Sequence, residues 1–171
     1  MFVDAVVIEL HASVPIRSLS ELEEWIGQQE AVEFLSTTRL LDLRPKAQVL
    51  LTLPGQYEQL LEHISVHRWF IGIELEREIS YAEAVASWYD RVYLPIVEGI
   101  REAAMLREFP RRTEADLYLW LIEHLWYLRE AGELDENAPI DEAARSYADS
   151  FSPRPSRRLA RAFRRRLTSG S

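Results

Sequence analysis

The stretch FPRRTEADLYLWLIEHLWY, residues 109–127, decides the fold predicted for this chain of 171 residues. Thr113 and Asp116 stand three positions apart, a pattern typical of a helix N-cap, in which the hydroxyl accepts an amide hydrogen bond and the acid lies at the positive end of the helix dipole. Apolar residues then cover most of the helix: Leu117, Leu119, Trp120, Leu121, Ile122, Leu125, Trp126 and Leu128. Such a helix is expected in a core, so the rest of the chain should pack around it.

The composition is that of one globular domain, with 47% hydrophobic and 11% aromatic residues. No apolar run reaches the roughly 18 residues that a membrane span needs. The first residues lack the basic and long apolar regions of a signal peptide, so we expect a cytoplasmic protein with no membrane partner. The chain has no cysteine, which excludes disulfides, thiolate nucleophiles and cysteine zinc ligands.

The first third of the chain holds the two strand candidates. Residues 3–10, VDAVVIEL, are β-branched and continuous, and residues 48–53, QVLLTL, end at a Pro-Gly turn. Either these segments pair with each other, or the first belongs to a sheet supplied from elsewhere. Between them, Ser20 and Glu23 repeat the capping pattern, and Gly27 is expected to divide the following segment into two short helices.

The later segments are predicted to be helical. One helix covers residues 57–70 and ends near Gly72, and the longest helix begins at the Ser80 and Glu83 pair. Pro95 falls inside the longest helix, so a kink or a break is expected near Arg91. After a polar linker at 133–137, residues 140–151 form a short helix. The predicted fold class is mainly α, a helical bundle with one or two short N-terminal strands, divided into a strand (1–11), a helical domain (12–151) and a basic tail (152–171).

Charge is distributed unevenly along the chain. The net charge of −8 combines seven arginines from Arg154 onward with a remainder of 13 basic and 28 acidic residues, at −15. In the tail, Leu159, Ala162, Phe163 and Leu167 lie on one side of a predicted amphipathic helix. The tail can fold back onto the acidic body or reach an anionic partner such as nucleic acid. The candidate anion or nucleic-acid contacts are Arg111, Arg112, Arg157, Arg158, Arg161, Arg164, Arg165 and Arg166.

Two histidines and one acidic residue are the candidates for a metal site. His63 and His67 stand one helical turn apart, and Glu123 is a further candidate for a metal-dependent enzyme. The sequence defines no convergent set of three ligands, so we expect these histidines to hydrogen-bond to neighbouring helices. The chain also has no phosphate loop, dinucleotide fingerprint or nucleophile elbow. We therefore predict no catalytic residue, no metal and no cofactor.

The aromatic residues favour core packing over a pocket for a flat ligand, because most fit inward helix faces. They are Trp69, Tyr81, Trp88, Tyr89, Tyr93, Tyr118, Trp120, Trp126 and Tyr127.

Nearly the whole chain resembles the C-terminal half of bacterial ParB-like proteins labelled transcriptional regulators. The similar blocks are FVDAVVIEL, AVEFLSTTRLLDLRP, LTLPGQYEQLLEHISVHRWFIGIE, EISYAEAVASWYDRVYLPIVEGIRE and FPRRTEADLYLWLIEHLWYL. In such relatives a ParB/sulfiredoxin-like domain with an Asp-Gly-Asn-His-Arg motif comes first, and this chain lacks that motif. Arg111 also stands where the relatives usually have glycine.

The leading hypothesis is a non-catalytic helical regulatory or interaction module with a protein partner or a homodimer. The first alternative is a DNA-associated transcriptional regulator that uses the arginine-rich tail. The second is a metal-dependent enzyme that uses His63, His67 and Glu123.

Overall fold

The fold is mainly α, as predicted, in a computed structural model that describes residues 18–135 and 137–154. The predicted strand at 3–10 and the tail beyond Arg154 lie outside the described residues. The helices, in chain order, are α1 (Leu19–Thr38), α2 (Leu40–Leu43), α3 (Gln56–Glu74), α4 (Tyr81–Trp88), a π-helical turn (Tyr89–Tyr93), α5 (Leu94–Glu102), α6 (Met105–Glu108), α7 (Glu114–Glu130) and α8 (Ile140–Phe151). None of the described helices has the length and hydrophobicity needed to cross a lipid bilayer.

Helix α1 corrects two predictions. Its N-cap is Ser18, whose hydroxyl accepts the Glu21 amide at 3.2 Å, rather than the predicted Ser20. The helix also runs unbroken through Gly27, where two short helices were expected. A Cβ at Gly27 would meet nothing within 4 Å, and one glycine in a long helix costs only about 1 kcal/mol relative to alanine. That cost is too small to end α1.

The break predicted from Pro95 is confirmed and takes the form of the π-helical turn, which includes Arg91. The Leu94 amide donates to the carbonyl of Tyr89, five residues back, and Pro95 then occupies the first turn of α5. A proline lacks the amide that would continue the α-helical pattern, and its ring crowds the preceding turn. The longest predicted helix is therefore divided into α4 and α5 by the π-helical turn.

Helix α7 forms the centre of the core, but its outer side is open to solvent. Leu117, Tyr118 and Leu121 are fully buried, and the helix packs against both α5 and α8. Its predicted capping box is confirmed at Thr113 and Asp116. Trp126, predicted to be apolar core, is instead 58% exposed.

The predicted strand at 48–53 is wrong, because this segment forms no ladder in the structure. Side chains satisfy its backbone instead. The Tyr93 hydroxyl donates to the Gln48 carbonyl at 3.0 Å, and the Leu51 amide donates to the Tyr57 hydroxyl at 3.1 Å. Val49 and Leu51 are buried while Leu50 is exposed, and hydroxyl groups on neighbouring helices take the place of a partner strand.

Candidate ligand-binding site

An open pocket of about 700 Å³ lies where the start of α7 meets the end of α8. Its walls combine aromatic rings with three arginines, and no acidic residue among those that the structure describes lines it. The lining residues are Phe109, Pro110, Arg111, Arg112, Trp120, Tyr147, Phe151, Pro153 and Arg154. We call this cavity the arginine-aromatic pocket.

A row of aromatic rings forms one wall of the arginine-aromatic pocket. The Trp120 and Tyr147 rings lie nearly parallel, at 27°, with centroids 6.3 Å apart. Phe151 continues the row 4.7 Å from Tyr147, and Phe109 closes the other end 6.2 Å from Trp120. Because Phe151 is 55% exposed, the row offers ring faces and edges to a ligand that enters from solvent.

Arg112 is held in place at the mouth of the pocket. Its guanidinium carbon lies 5.1 Å from the Trp120 ring centroid, and its Nη1 donates to the Thr52 hydroxyl at 3.0 Å. A guanidinium fixed by one hydrogen bond and one cation–π contact keeps further N–H groups free for an anion.

The other two arginines differ in their surroundings. Arg111 is exposed, and Arg154 lies 3.9 Å from the Glu108 carboxylate. Glu108 also accepts a hydrogen bond of 2.9 Å from the Ser152 hydroxyl, which ties the end of α8 to α6. The pocket rim therefore carries more positive than negative charge.

A buried carboxylate fixes the position of the arginine loop. Asp116 is fully buried and accepts the Thr113 amide at 2.8 Å, while the Thr113 hydroxyl accepts the Asp116 amide at 3.2 Å. This capping box sets where α7 begins and hence where the preceding Arg111 and Arg112 stand. Thr113, the last residue of the loop, is bonded through both its amide and its hydroxyl.

The structure brings together two of the predicted anion contacts, Arg111 and Arg112, whereas those from Arg157 to Arg166 lie outside the described residues. Sequence reasoning missed Tyr147 and Phe151, which come from α8, and it assigned Trp120 to the core although that ring is only half-buried. The spacing of Tyr147 and Phe151, four residues apart, is a sequence pattern that could have indicated them, because it places both rings on one face of a helix.

The histidines weighed as metal ligands each contact a hydroxyl on a neighbouring helix. His63 Nδ1 lies 3.1 Å from the Tyr118 hydroxyl, and His67 Nε2 lies 2.9 Å from the Ser87 hydroxyl. Burial lowers the pKa of both histidines. Glu123 lines a groove with His63 between α3 and α7. Within residues 18–135 and 137–154, no three histidine or acidic side chains are grouped to hold a metal ion.

Core packing is confirmed for only part of the aromatic set. Four of its members are buried, two are half-buried, and three are exposed on the outside of α3 and α7. The buried residues are Trp88, Tyr89, Tyr93 and Tyr118, the half-buried ones are Tyr81 and Trp120, and the exposed ones are Trp69, Trp126 and Tyr127.

Compared with family models, with curated proteins and with solved structures, the chain matches none of them. The resemblance to ParB-like proteins therefore remains a prediction.

Proposed function

We propose that this protein is a non-catalytic helical regulatory or interaction module that recognises an anionic partner through the arginine-aromatic pocket. The single observation behind this proposal is the pairing of Arg112 with Trp120 at the mouth of a cavity that has no acidic lining residue in the described part of the chain. A partner that presents a flat ring beside a negative group would stack on Trp120 or Phe151 and pair with the arginines.

The chemistry of the pocket sets the kind of partner segment that fits. Arginine donates paired N–H groups to a carboxylate or a phosphate, so the anionic group belongs next to Arg112. The aromatic row is partly exposed and can stack with any planar group, so it does not select one particular ring. An acidic segment of a partner protein with an aromatic residue satisfies both requirements, and the described fold positions the receiving side chains before the partner arrives.

DNA binding is the second candidate, and a specific feature favours it. The arginine-aromatic pocket ends at Arg154, and six more arginines follow within the next twelve residues of the sequence. Aromatic rings beside a basic segment are typical of surfaces that stack the bases of a single strand and neutralise its phosphates. In this version the protein would be a regulator that contacts DNA through both pocket and tail.

Titration of the full chain with two probes tests the proposal. One probe is a peptide of alternating acidic and tyrosine residues, and the other is a short single-stranded oligothymidylate. We expect saturable binding of the peptide at the pocket, and Arg112→Gln should weaken it about tenfold, because a charge-assisted hydrogen bond is lost. Phe151→Ala should weaken binding by removing a ring from the row.

The controls are Arg91→Gln and Trp69→Leu, which change an arginine and an exposed aromatic residue away from the pocket. Neither control should alter binding, since Arg91 makes only a 3.9 Å ion pair with Glu74 and Trp69 is exposed on α3. Tight oligothymidylate binding that falls steeply with salt would favour the DNA candidate instead. If neither probe binds, or if the controls weaken binding as much as Arg112→Gln, the pocket is not the recognition site.

A further inference from the structure

The outer face of α7 carries two large aromatic side chains that the described residues leave uncovered. Trp126 and Tyr127 are 58% and 56% exposed, and their rings meet at 72° with centroids 5.0 Å apart. The other large apolar side chains of α7 are buried or half-buried. The two neighbouring rings in water therefore leave apolar area that a further segment can cover.

A groove between α3 and α7 borders this aromatic pair. Trp126 forms one wall of the groove, together with Ile122, and α3 contributes Glu62 and His63. Glu123 lies on the same side of α7 as the groove. Neither Glu62 nor Glu123 forms an ion pair with another described residue. The outer face of α7 therefore combines exposed rings with unpaired negative charge, and we call it the α7 docking face.

The described chain ends close to the α7 docking face. The Phe151 ring near the end of α8 lies 5.9 Å from the His124 ring of α7. His124 is three positions before Tyr127 and lies on the same side of α7, whereas Trp126 points away from His124. Seventeen residues follow Arg154. A segment of that length spans roughly 25 Å even when helical, which exceeds the approximately 10 Å width of one helix.

The composition of residues 155–171 complements the α7 docking face. The segment contains six arginines and no acidic residue, whereas the rest of the chain, before Arg154, is at −15. Leu159 and Phe163 stand four positions apart, which places them on one face of a helix. Exposed ion pairs stabilise little on their own, so the apolar contact must provide most of the attraction, with charge setting the orientation.

We propose that residues 155–171 dock on the α7 docking face of their own chain, with Leu159 and Phe163 against Trp126 and Tyr127 and with arginines beside Glu62 and Glu123. The docked segment covers Trp126 and Tyr127, neither of which lines the arginine-aromatic pocket. Residues 155–171 then shield the two exposed rings of α7 from solvent. This placement is independent of the proposed function of the pocket.

A spin label on the full chain tests the docking. The native sequence has no cysteine, so Ala162→Cys provides a single attachment point for a nitroxide. The label should broaden the indole N–H signal of Trp126 and leave that of Trp25 on α1 unchanged. Amide exchange across residues 159–167 should also be about tenfold slower than in a Phe163→Ser variant.

Two variants separate docking from simple tethering near the end of α8. Phe163→Ser should restore the Trp126 signal, and so should the double change Glu62→Arg and Glu123→Arg. An equally broadened Trp126 signal in both variants, or fast amide exchange across the tail of the unaltered protein, would overturn the proposal. A third experiment mixes spin-labelled protein at natural isotope abundance with isotope-labelled protein that carries no spin label. Broadening in that mixture would show that the segment docks on a second copy and would refute docking on its own chain.

Discussion

Thr52 and Asp116, which are 64 positions apart, are joined by two hydrogen bonds. The Thr52 amide donates to Asp116 Oδ1 at 2.8 Å, and the Thr52 hydroxyl donates to Oδ2 at 2.7 Å. The same carboxylate accepts the Thr113 amide, and Thr52 in turn accepts a hydrogen bond from Arg112. One buried acid therefore links the extended segment before α3, the start of α7 and the arginine at the pocket mouth.

Replacing Asp116 with alanine should lower the free energy of unfolding by about 2–4 kcal/mol. The substitution removes the carboxylate half of the α7 capping box and leaves the part-buried amides of Thr52 and Thr113 without this acceptor. Urea denaturation of the two proteins measures the difference.

Glu58→Ala, at an exposed acid near the start of α3, is the matched control for Asp116→Ala and should change stability by less than about 0.5 kcal/mol. Equal effects of the two substitutions would contradict the role given to the buried carboxylate.

Two glycine-to-alanine substitutions should act in opposite directions. A Cβ at Gly99 of α5 would lie 2.6 Å from Cγ2 of Ile140 at the start of α8, and 2.9 Å from its Cβ. Gly99→Ala should therefore force the two helices apart and destabilise by about 1–3 kcal/mol. A Cβ added at Gly27 of α1 has no atom within 4 Å. Gly27→Ala should therefore raise the free energy of unfolding by about 0.5–1 kcal/mol. Thermal unfolding of both variants checks the pair, and a stabilising Gly99→Ala would refute the close contact of α5 with α8.

Acid should destabilise the fold before the carboxylates begin to titrate. Burial lowers the pKa of His63 below its ordinary value of 6.5, and it lowers the pKa of His67 and His124 as well. The unfolded chain then binds more protons, so the free energy of unfolding falls as pH decreases from about 6.5 towards 5. For one histidine the slope stays below about 1.4 kcal/mol per pH unit.

His63→Gln should reduce this slope, because the altered residue no longer takes up a proton on unfolding. Denaturant titrations at several pH values above 5 measure the effect. In this range Glu83 and Asp90 do not contribute to the slope, because hydrogen bonds from arginine partners lower the pKa values of both carboxyl groups. A slope that His63→Gln leaves unchanged would show that the buried imidazole is not the cause.

Local patterns in the sequence were sufficient to locate several features of the fold. Ser80 caps α4 by accepting the Glu83 amide, as predicted. The Thr113 capping box and the break before Pro95 were also located correctly, because each depends on residues a few positions apart. The α1 cap was placed two residues late, since Ser18 and Ser20 both precede an acid three positions on and the local pattern cannot choose between them.

Features that depend on distant residues could not be predicted in this way. Only the fold brings Tyr147 and Phe151 beside Trp120, and only the fold places Thr52 against Asp116. Residues 48–53 have the composition of a strand, yet hydroxyl groups from helices satisfy their backbone. Hydrogen bonds between a loop and a side chain far along the chain leave no periodic pattern in the sequence.

The most direct test of the central claim follows the five tryptophan indole signals while the full chain is titrated with the acidic tyrosine peptide. Trp120→Phe identifies the Trp120 signal by its loss. Binding in the arginine-aromatic pocket predicts that the Trp120 signal moves most and saturates, and that it moves less in Arg112→Gln. If the Trp120 signal stays in place while that of Trp69 or Trp126 shifts, the partner binds elsewhere and the proposed recognition site is wrong.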